Sequence, residues 1–396
     1  MDKKVYMDYA ATTYTKPEVL DEMLPYFTQN YGNPSSFYTL SDINKRAINN
    51  ARTKVAKAIN AEAHEIYFTG SGSEADNWAI KGIALARKNK GNHIITTQIE
   101  HHAVLNTCKF LEKDGFEVTY LPVDEQGAIK IEDLKAAITE KTILVTVMFA
   151  NNEIGVIQPI KEIGAICREK KIIFHTDAVQ AVAHVPVDVK EMNIDLLSLA
   201  AHKFYGPKGV GALYIRNGVK VENLIHGGGQ ERGKRPSTEN VSGIVGLGKA
   251  IELAVDEMEH EGKRLAKLRD RLIDELLERI PHAKLNGPKG QGRLPGNVNI
   301  SFVGVEGETL LLDLDDVGIY ASTGSACASG DLEASHVLLS IGLSHGVAHG
   351  SLRLSLGSTT TEEDVDYLIS ELPKIIKRRR EMSPYWEQFL KEKGEI

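Results

Sequence analysis

Through its first two thirds this chain alternates short, apolar, β-rich runs with amphipathic helical stretches, and that alternation narrows its fold more than any other feature. Parallel strands need a long crossover, usually a helix, so such a succession builds a mostly parallel sheet covered on both faces. The runs Glu65 to Thr69, His93 to Thr97, Val118 to Leu121, Ile143 to Phe149, Ile172 to His175, Leu196 to Leu199 and Ala212 to Ile215 read as seven strands of one sheet. From about Gly243 to Ile280 the pattern turns helical, with Ala250, Leu253, Ala254, Met258, Leu265, Leu268, Leu272 and Leu276 forming an apolar stripe. Beyond it, Asn297 to Phe302 and Ser351 to Ser355 read as strands, and Val365 to Ile376 as a closing helix that carries Pro373. The expected class is α/β, with a large domain over residues 15–255 and a smaller α+β domain from 1–14 and 256–396.

Composition excludes several other classes. With 42% hydrophobic and 26% charged residues the chain resembles folded globular proteins rather than disordered or fibrous ones. A net charge of −7 argues against a whole-surface nucleic-acid footprint, and so against direct nucleic-acid binding. The polar start Asp2-Lys3-Lys4 does not read as a signal peptide, and the apolar run Ile143 to Ala150 is too short to span a bilayer, so no membrane association and a cytoplasmic location are expected. Three scattered cysteines, Cys108, Cys167 and Cys327, suit neither a disulfide framework nor a Cys-rich metal site.

Two features carry chemistry. The turn Gly70-Ser71-Gly72-Ser73-Glu74-Ala75 joins a strand to a helix expected from about Ala75 to Arg87, where backbone N–H groups and the helix dipole favour a phosphate. It also fits the G-x-G-x-x-A dinucleotide fingerprint, with Glu100 available as a ribose acid, or it is a Gly-rich turn that binds nothing. Asp177 follows the strand Ile172 to His175, and Lys203 follows the strand ending at Leu199, at the sheet edge where ligands bind in open α/β folds. A phosphate cup, a carboxylate and a lysine are what pyridoxal 5′-phosphate needs, the carboxylate to keep its pyridine nitrogen protonated and the lysine to form the Schiff base. Taken singly, Asp177 reads as a cap and Lys203 as a loop lysine.

The segment Ala201-His202-Lys203-Phe204-Tyr205-Gly206-Pro207-Lys208-Gly209 resembles the lysine segment of the NifS/IscS cysteine desulfurases. The resemblance runs end to end. It includes Asp8 to Thr13, Gly32-Asn33-Pro34, Glu100-His101, Asn151-Asn152-Glu153-Ile154-Gly155, Gly227 to Glu231, Ser322 to Cys327, and Arg353. It implies a fold-type I pyridoxal-phosphate enzyme, a homodimer, and conversion of L-cysteine to L-alanine with the sulfur left as an enzyme persulfide. Carried over residue by residue, it makes Lys203 the Schiff-base lysine, Asp177 the partner of the pyridine nitrogen, and Gln180 a neighbour of the phenolic oxygen. His101 stacks on the ring and moves protons. The phosphate takes Gly72, Ser73, His202 and Thr238, the last reaching over from the partner subunit. Arg353 clamps the substrate carboxylate beside Asn152, with Asn33 also in the substrate site.

If His101 and His102 are extended, period 2 points them to opposite sides, so only one faces the cofactor. Cys108 shares a helical stripe with Val104 and Leu111, and Cys167 with Ile160, Ile163 and Ile166, which makes both core residues. Cys327 lies among small residues in Ser322 to Gly330, and the resemblance makes it the attacking thiolate, on a catalytic loop of about 322–345 expected to be poorly ordered. The chain departs from the family pattern at Ala200, where a serine commonly contacts the phosphate, at Tyr38 and Ser41, and at Pro236-Ser237. The basic run Lys374, Lys377, Arg378, Arg379 and Arg380 reads as a solvated helix face. His336, His345 and His349 lack the spacing of a metal site, and no catalytic metal is expected. Another pyridoxal-phosphate enzyme, such as an aminotransferase or selenocysteine lyase, and a silent sulfur-relay scaffold remain as alternatives. The sulfur acceptor, an iron–sulfur scaffold or a tRNA-thiolation enzyme, is not written in the motifs.

Overall fold

The computed structural model describes residues 3–323 and 334–396. The seven expected strands form one sheet in the order Ile66–Thr69, Gly211–Ile215, Leu196–Ala200, Ile173–Asp177, Thr142–Thr146, His93–Thr97 and Glu117–Leu121. Only Gly211–Ile215 runs against its neighbours. The run Ile143 to Phe149 leaves the sheet after Thr146, although the Val147 and Phe149 N–H groups still bond the His175 and Asp177 carbonyls.

Both faces of this sheet are covered, which is why its strands are apolar on both sides. On one face the helix Gly72–Arg87 buries Trp78, Ile80 and Ile83 against Ile94, Leu144, Ile173 and Leu213. On the other, Val55, Ile163, Cys167, Leu247 and Ile251 pack on Val145, Phe174 and Leu197. The helix Val241–Arg279 then runs 39 residues without a break. Its first half sits in that core, and Leu265, Leu268, Leu272 and Leu276 enter a second one.

The second core covers the antiparallel sheet Ser351–Ser355, Asn297–Phe302 and Ala283–Leu285, closed by the helix Glu362–Glu381. That helix continues through Pro373. The basic run on it is not simply solvated: Arg378 and Arg379 pair with Asp313, and Arg380 is buried, donating to the Val303 and Pro281 carbonyls and lying 4.0 Å over Trp386. Of the expected 322–345 loop, the part from His336 to Ser340 is helical. Val337, Leu338 and Ile341 anchor it on Ile99, Met148 and Ile154, because its apolar side chains complete a small core beside the sheet edge. Among the described residues, no helix is long and apolar enough to cross a membrane.

Candidate active site

The carboxyl ends of the strands surround a cavity of about 340 Å³. Directly after Ile66–Thr69 the chain turns into the helix Gly72–Arg87, which starts three residues earlier than Ala75. Ser71 caps this helix, its Oγ accepting the Glu74 N–H at 3.1 Å. Gly72 lets the turn pack closely here, since a Cβ would stand 2.7 Å from Val179 Cγ2 and displace it. Ser71, Gly72, Ser73, Ala200 and His202 line this end of the cavity.

Asp177 closes the strand Ile173–Asp177, and Lys203 sits in the 3-10 turn Ala201–Lys203 after the parallel neighbour Leu196–Ala200, so both face one edge. Lys203 Nζ donates to the Ala10 and Ala11 carbonyls at 2.7 and 2.8 Å, and Gln180 Nε2 donates to the same Ala10 carbonyl at 2.9 Å. The segment from Asp8 to Thr13 is held there by Thr13, which donates through its hydroxyl to the His202 carbonyl at 2.9 Å. Burial pushes the Asp177 carboxyl above its ordinary value, against the His101 imidazole, the Val179 N–H at 3.0 Å, and Lys203.

His101 and His102 are not both extended. His101 caps the helix His102–Lys113, so the two side chains diverge by a helical step rather than by a strand's alternation, and both line the cavity. His101 Nδ1 accepts the Ala103 N–H at 3.1 Å, which puts the proton of the neutral ring on Nε2. Burial lowers its pKa, opposed by the Asp177 carboxylate and helped by Lys203 and His102.

Arg353 comes from the second sheet, at the centre of Ser351–Ser355 and opposite Asn299. It is 1% exposed. Nη2 pairs with Asp8 Oδ1 at 2.9 Å, Nη1 donates to the Asn152 carbonyl at 3.3 Å, and buried Nε has no hydrogen-bond partner among the described residues. Arg353 and Asn152 therefore reach the same cavity as Lys203 although they belong to different layers.

Among the lining residues, Asp76 was not singled out in the sequence, and Glu100, Glu153, His102 and His336 were named there without this role. Glu100 is fully buried and accepts from the Thr97 hydroxyl at 2.8 Å and the Met148 N–H at 2.9 Å, and burial pushes its pKa up to about 8. Glu153 accepts from the Ser335 hydroxyl at 2.5 Å and is pushed up to about 7 by burial, which Ser335 and Arg353 oppose. Asp76 is raised well above the ordinary carboxylate range, by burial first and then by Asp177. Beside it, at 3.6 Å, burial holds His175 down at about 3. The sequence signal for Asp76 was adjacency to the Gly70 to Ala75 turn, and Glu100 and Glu153 stood inside quoted motifs. His336, whose ring lies 4.8 Å from that of His102 and whose Nε2 lies 2.9 Å from the Glu100 carbonyl oxygen, had no such signal.

Other expected residues lie elsewhere. Asn33 is exposed, its Oδ1 accepting the Ser35 N–H at 2.8 Å, and it does not line the cavity. Thr238 is exposed beside a separate cavity of about 200 Å³ that Arg235 and Glu239 also line. Cys327 falls in residues 324–333, outside the described ones. Cys108 and Cys167 are buried, and burial pushes both thiols up. Among the described residues, no group of three or more His, Cys, Asp or Glu is placed to hold a metal ion.

Residues 5–368 match the family described as aminotransferase class-V. The "Cysteine desulfurase IscS" of Clostridium botulinum strain Hall is 71% identical over 396 residues, all of both chains. The chain belongs to the cysteine desulfurases of the class-V aminotransferase family. Among solved structures, a NifS-like protein shares 40% identity with a TM-score of 0.89, covering 95% of this chain and all of that one. SspA in complex with cysteine shares 39% identity with a TM-score of 0.79, covering 89% of this chain and 99% of that one. With the family established, the dinucleotide reading of Gly70 to Ala75 gives way: in a cysteine desulfurase this turn stands beside a lysine and an aspartate that nicotinamide chemistry does not need.

Proposed function

We propose that this chain converts L-cysteine to L-alanine with pyridoxal 5′-phosphate and leaves the sulfur as a persulfide on Cys327. The observation that carries this reading is the convergence of the Ser71–Ser73 cup, Asp177, Lys203 and Arg353 on one cavity. The residues fit the cofactor: a neutral cup at a helix N-terminus suits its phosphate, and buried Asp177, lining the same cavity, suits a protonated ring nitrogen. Gln180 lies close enough to Lys203 to share the Ala10 carbonyl, which suits a contact with the phenolic oxygen.

When bound, pyridoxal phosphate supplies an electron sink that labilises the substrate Cα proton and the C–S bond. Arg353 orients the substrate carboxylate with the donors that Asp8 and Asn152 leave open, a role its planar fork suits. Lys203 Nζ moves the Cα proton, and His101, neutral with its proton on Nε2, donates or accepts at the ring face. Cys327 Sγ, as thiolate, takes the substrate sulfur. The S–S bond of the persulfide forms as the substrate C–S bond breaks; the carbon keeps that electron pair and gains the substrate thiol's proton, so alanine departs and the persulfide is left as its anion.

The working unit of this reading is a homodimer in the cytoplasm, in which Thr238 of the partner subunit completes the phosphate cup. Residues 15–255 form its large domain, and 1–14 with 256–396 its small one. Exposed Leu24, Phe27, Tyr31 and Phe37 offer an apolar surface for the second subunit. The persulfide passes to an acceptor protein, an iron–sulfur scaffold or a tRNA-thiolation enzyme. The test incubates purified protein with L-cysteine and a reducing thiol while the cofactor spectrum, alanine and sulfide are followed. Equal alanine and sulfide, both lost in Cys327→Ala with the cofactor colour retained, is the expected result. Colour without sulfide, or sulfide that persists in the variant, overturns it.

A further inference from the structure

The phosphate end of the cavity is lined by Ser71, Gly72, Ser73, Ala200 and His202, none of which carries a positive charge. Burial, with Lys203 and Lys208 nearby, holds His202 down at about 4, so its ring is neutral near pH 7. Ala200 offers no hydroxyl. Behind this cup stands a carboxylate: Glu74 Oε2 accepts the Gly70 N–H at 2.8 Å and so fixes the turn. A bare carboxylate there would oppose a phosphate dianion by like-charge repulsion. Arg235 closes on it from outside the cavity, Nε to Oε1 at 2.8 Å and Nη2 to Oε2 at 3.1 Å, with both side chains about one-fifth exposed. The arm that carries Arg235 is itself fixed, because Glu231 is gripped by Arg52 through two bonds of 2.7 Å and accepts the Phe68 N–H at 2.9 Å.

We propose that Arg235 is a positioning residue for the cofactor phosphate: its bidentate grip neutralises Glu74, so that one carboxylate ties the Gly70 turn without repelling the anion in front of it. The inference rests on the reading that the cavity takes pyridoxal 5′-phosphate. Arg235 does not line that cavity but a separate one.

The test strips full-length protein of cofactor and titrates it with pyridoxal 5′-phosphate by absorbance, with unphosphorylated pyridoxal and with competing inorganic phosphate. Arg235→Gln is expected to weaken pyridoxal phosphate and inorganic phosphate by roughly tenfold, the scale of one charge-assisted bond, and to leave pyridoxal unchanged. In Glu74→Gln/Arg235→Gln, which keeps an acceptor for Gly70 and removes the charge, affinity is expected to recover to within about threefold of the parent. An unchanged Arg235→Gln overturns the proposal. So does an equal loss in the double variant, or an equal loss for pyridoxal, since a merely structural brace gives those results. Should Arg235→Gln fail to fold, Glu74→Gln alone decides: affinity equal to or tighter than the parent's supports the proposal, and weaker affinity overturns it. If the parent protein takes up no pyridoxal phosphate, the cofactor reading itself fails and the inference falls with it.

Discussion

Asp177 and Asp313 are both nearly buried carboxylates, and their surroundings drive them in opposite directions. Asp313 lies under the helix Glu362–Glu381, where Arg379 and then Arg378 hold its pKa below the ordinary value. Around Asp177 the cavity adds Asp76, Glu100 and Glu153, and burial pushes all four upward. Lys203 and Arg353 are the two Lys or Arg side chains among its lining residues. Asp76 Oδ1, Glu100 Oε2 and Arg353 Nε have no hydrogen-bond partner among the described residues. A charge cluster that has settled its own pairs is architecture, whereas one that buries more carboxyls than cations marks a place built to bind something.

Substitutions can break this contrast. The largest effect is expected from Lys203→Ala, which removes the proton-moving amine and should lower kcat for alanine formation by roughly 10²–10⁴-fold or more. Retained turnover there would place the reacting centre elsewhere. Arg353→Lys keeps the charge but loses the fork, and KM for L-cysteine should rise about tenfold, measured by initial rates.

Glu100→Gln tests the cavity side through stability. A carboxyl whose pKa rises from 4.5 to about 8 on folding contributes no penalty below pH 4.5, and costs progressively more stability as pH rises toward 8, because the folded state holds the proton longer. The cofactor-free parent should lose stability over that window in urea unfolding. The variant, which keeps an acceptor at the Oε1 position, should show a flatter profile, and parallel profiles would refute the assignment. The smallest effect belongs to the other region: Arg378 is 59% exposed and shares Asp313 with Arg379, so Arg378→Ala should cost at most about 0.5 kcal/mol in the same assay.

The fold was legible because its signals are local. Apolar runs bounded by turns gave all seven strands of the large sheet, and Asn297–Phe302 and Ser351–Ser355 at their observed bounds. The cup, Asp177 and Lys203 were legible together because strand ends in such a sheet share an edge. Arg353 could be placed in the site by resemblance alone, since nothing local says that a strand arginine from the second sheet turns toward Lys203. Asp76 was missed, and Glu100 was given another role, for a different reason: the significance of both lies in their deep burial, a property of three-dimensional surroundings. The basic run misled in the reverse sense, because Asp313, Val303 and Pro281 lie far from it in sequence.

The helix Val241–Arg279 has a consequence for how the chain assembles. At 39 residues it is a rod of roughly 58 Å, with one end inside each core. Neither core can be completed without half of that rod, and the unbroken backbone between the halves makes the two nuclei share a nucleation event. Cutting the chain near residue 256 would leave two fragments, each exposing an apolar helical stripe, rather than two independent folding units. Because one continuous element is shared by both cores, an intact chain should melt as one cooperative body.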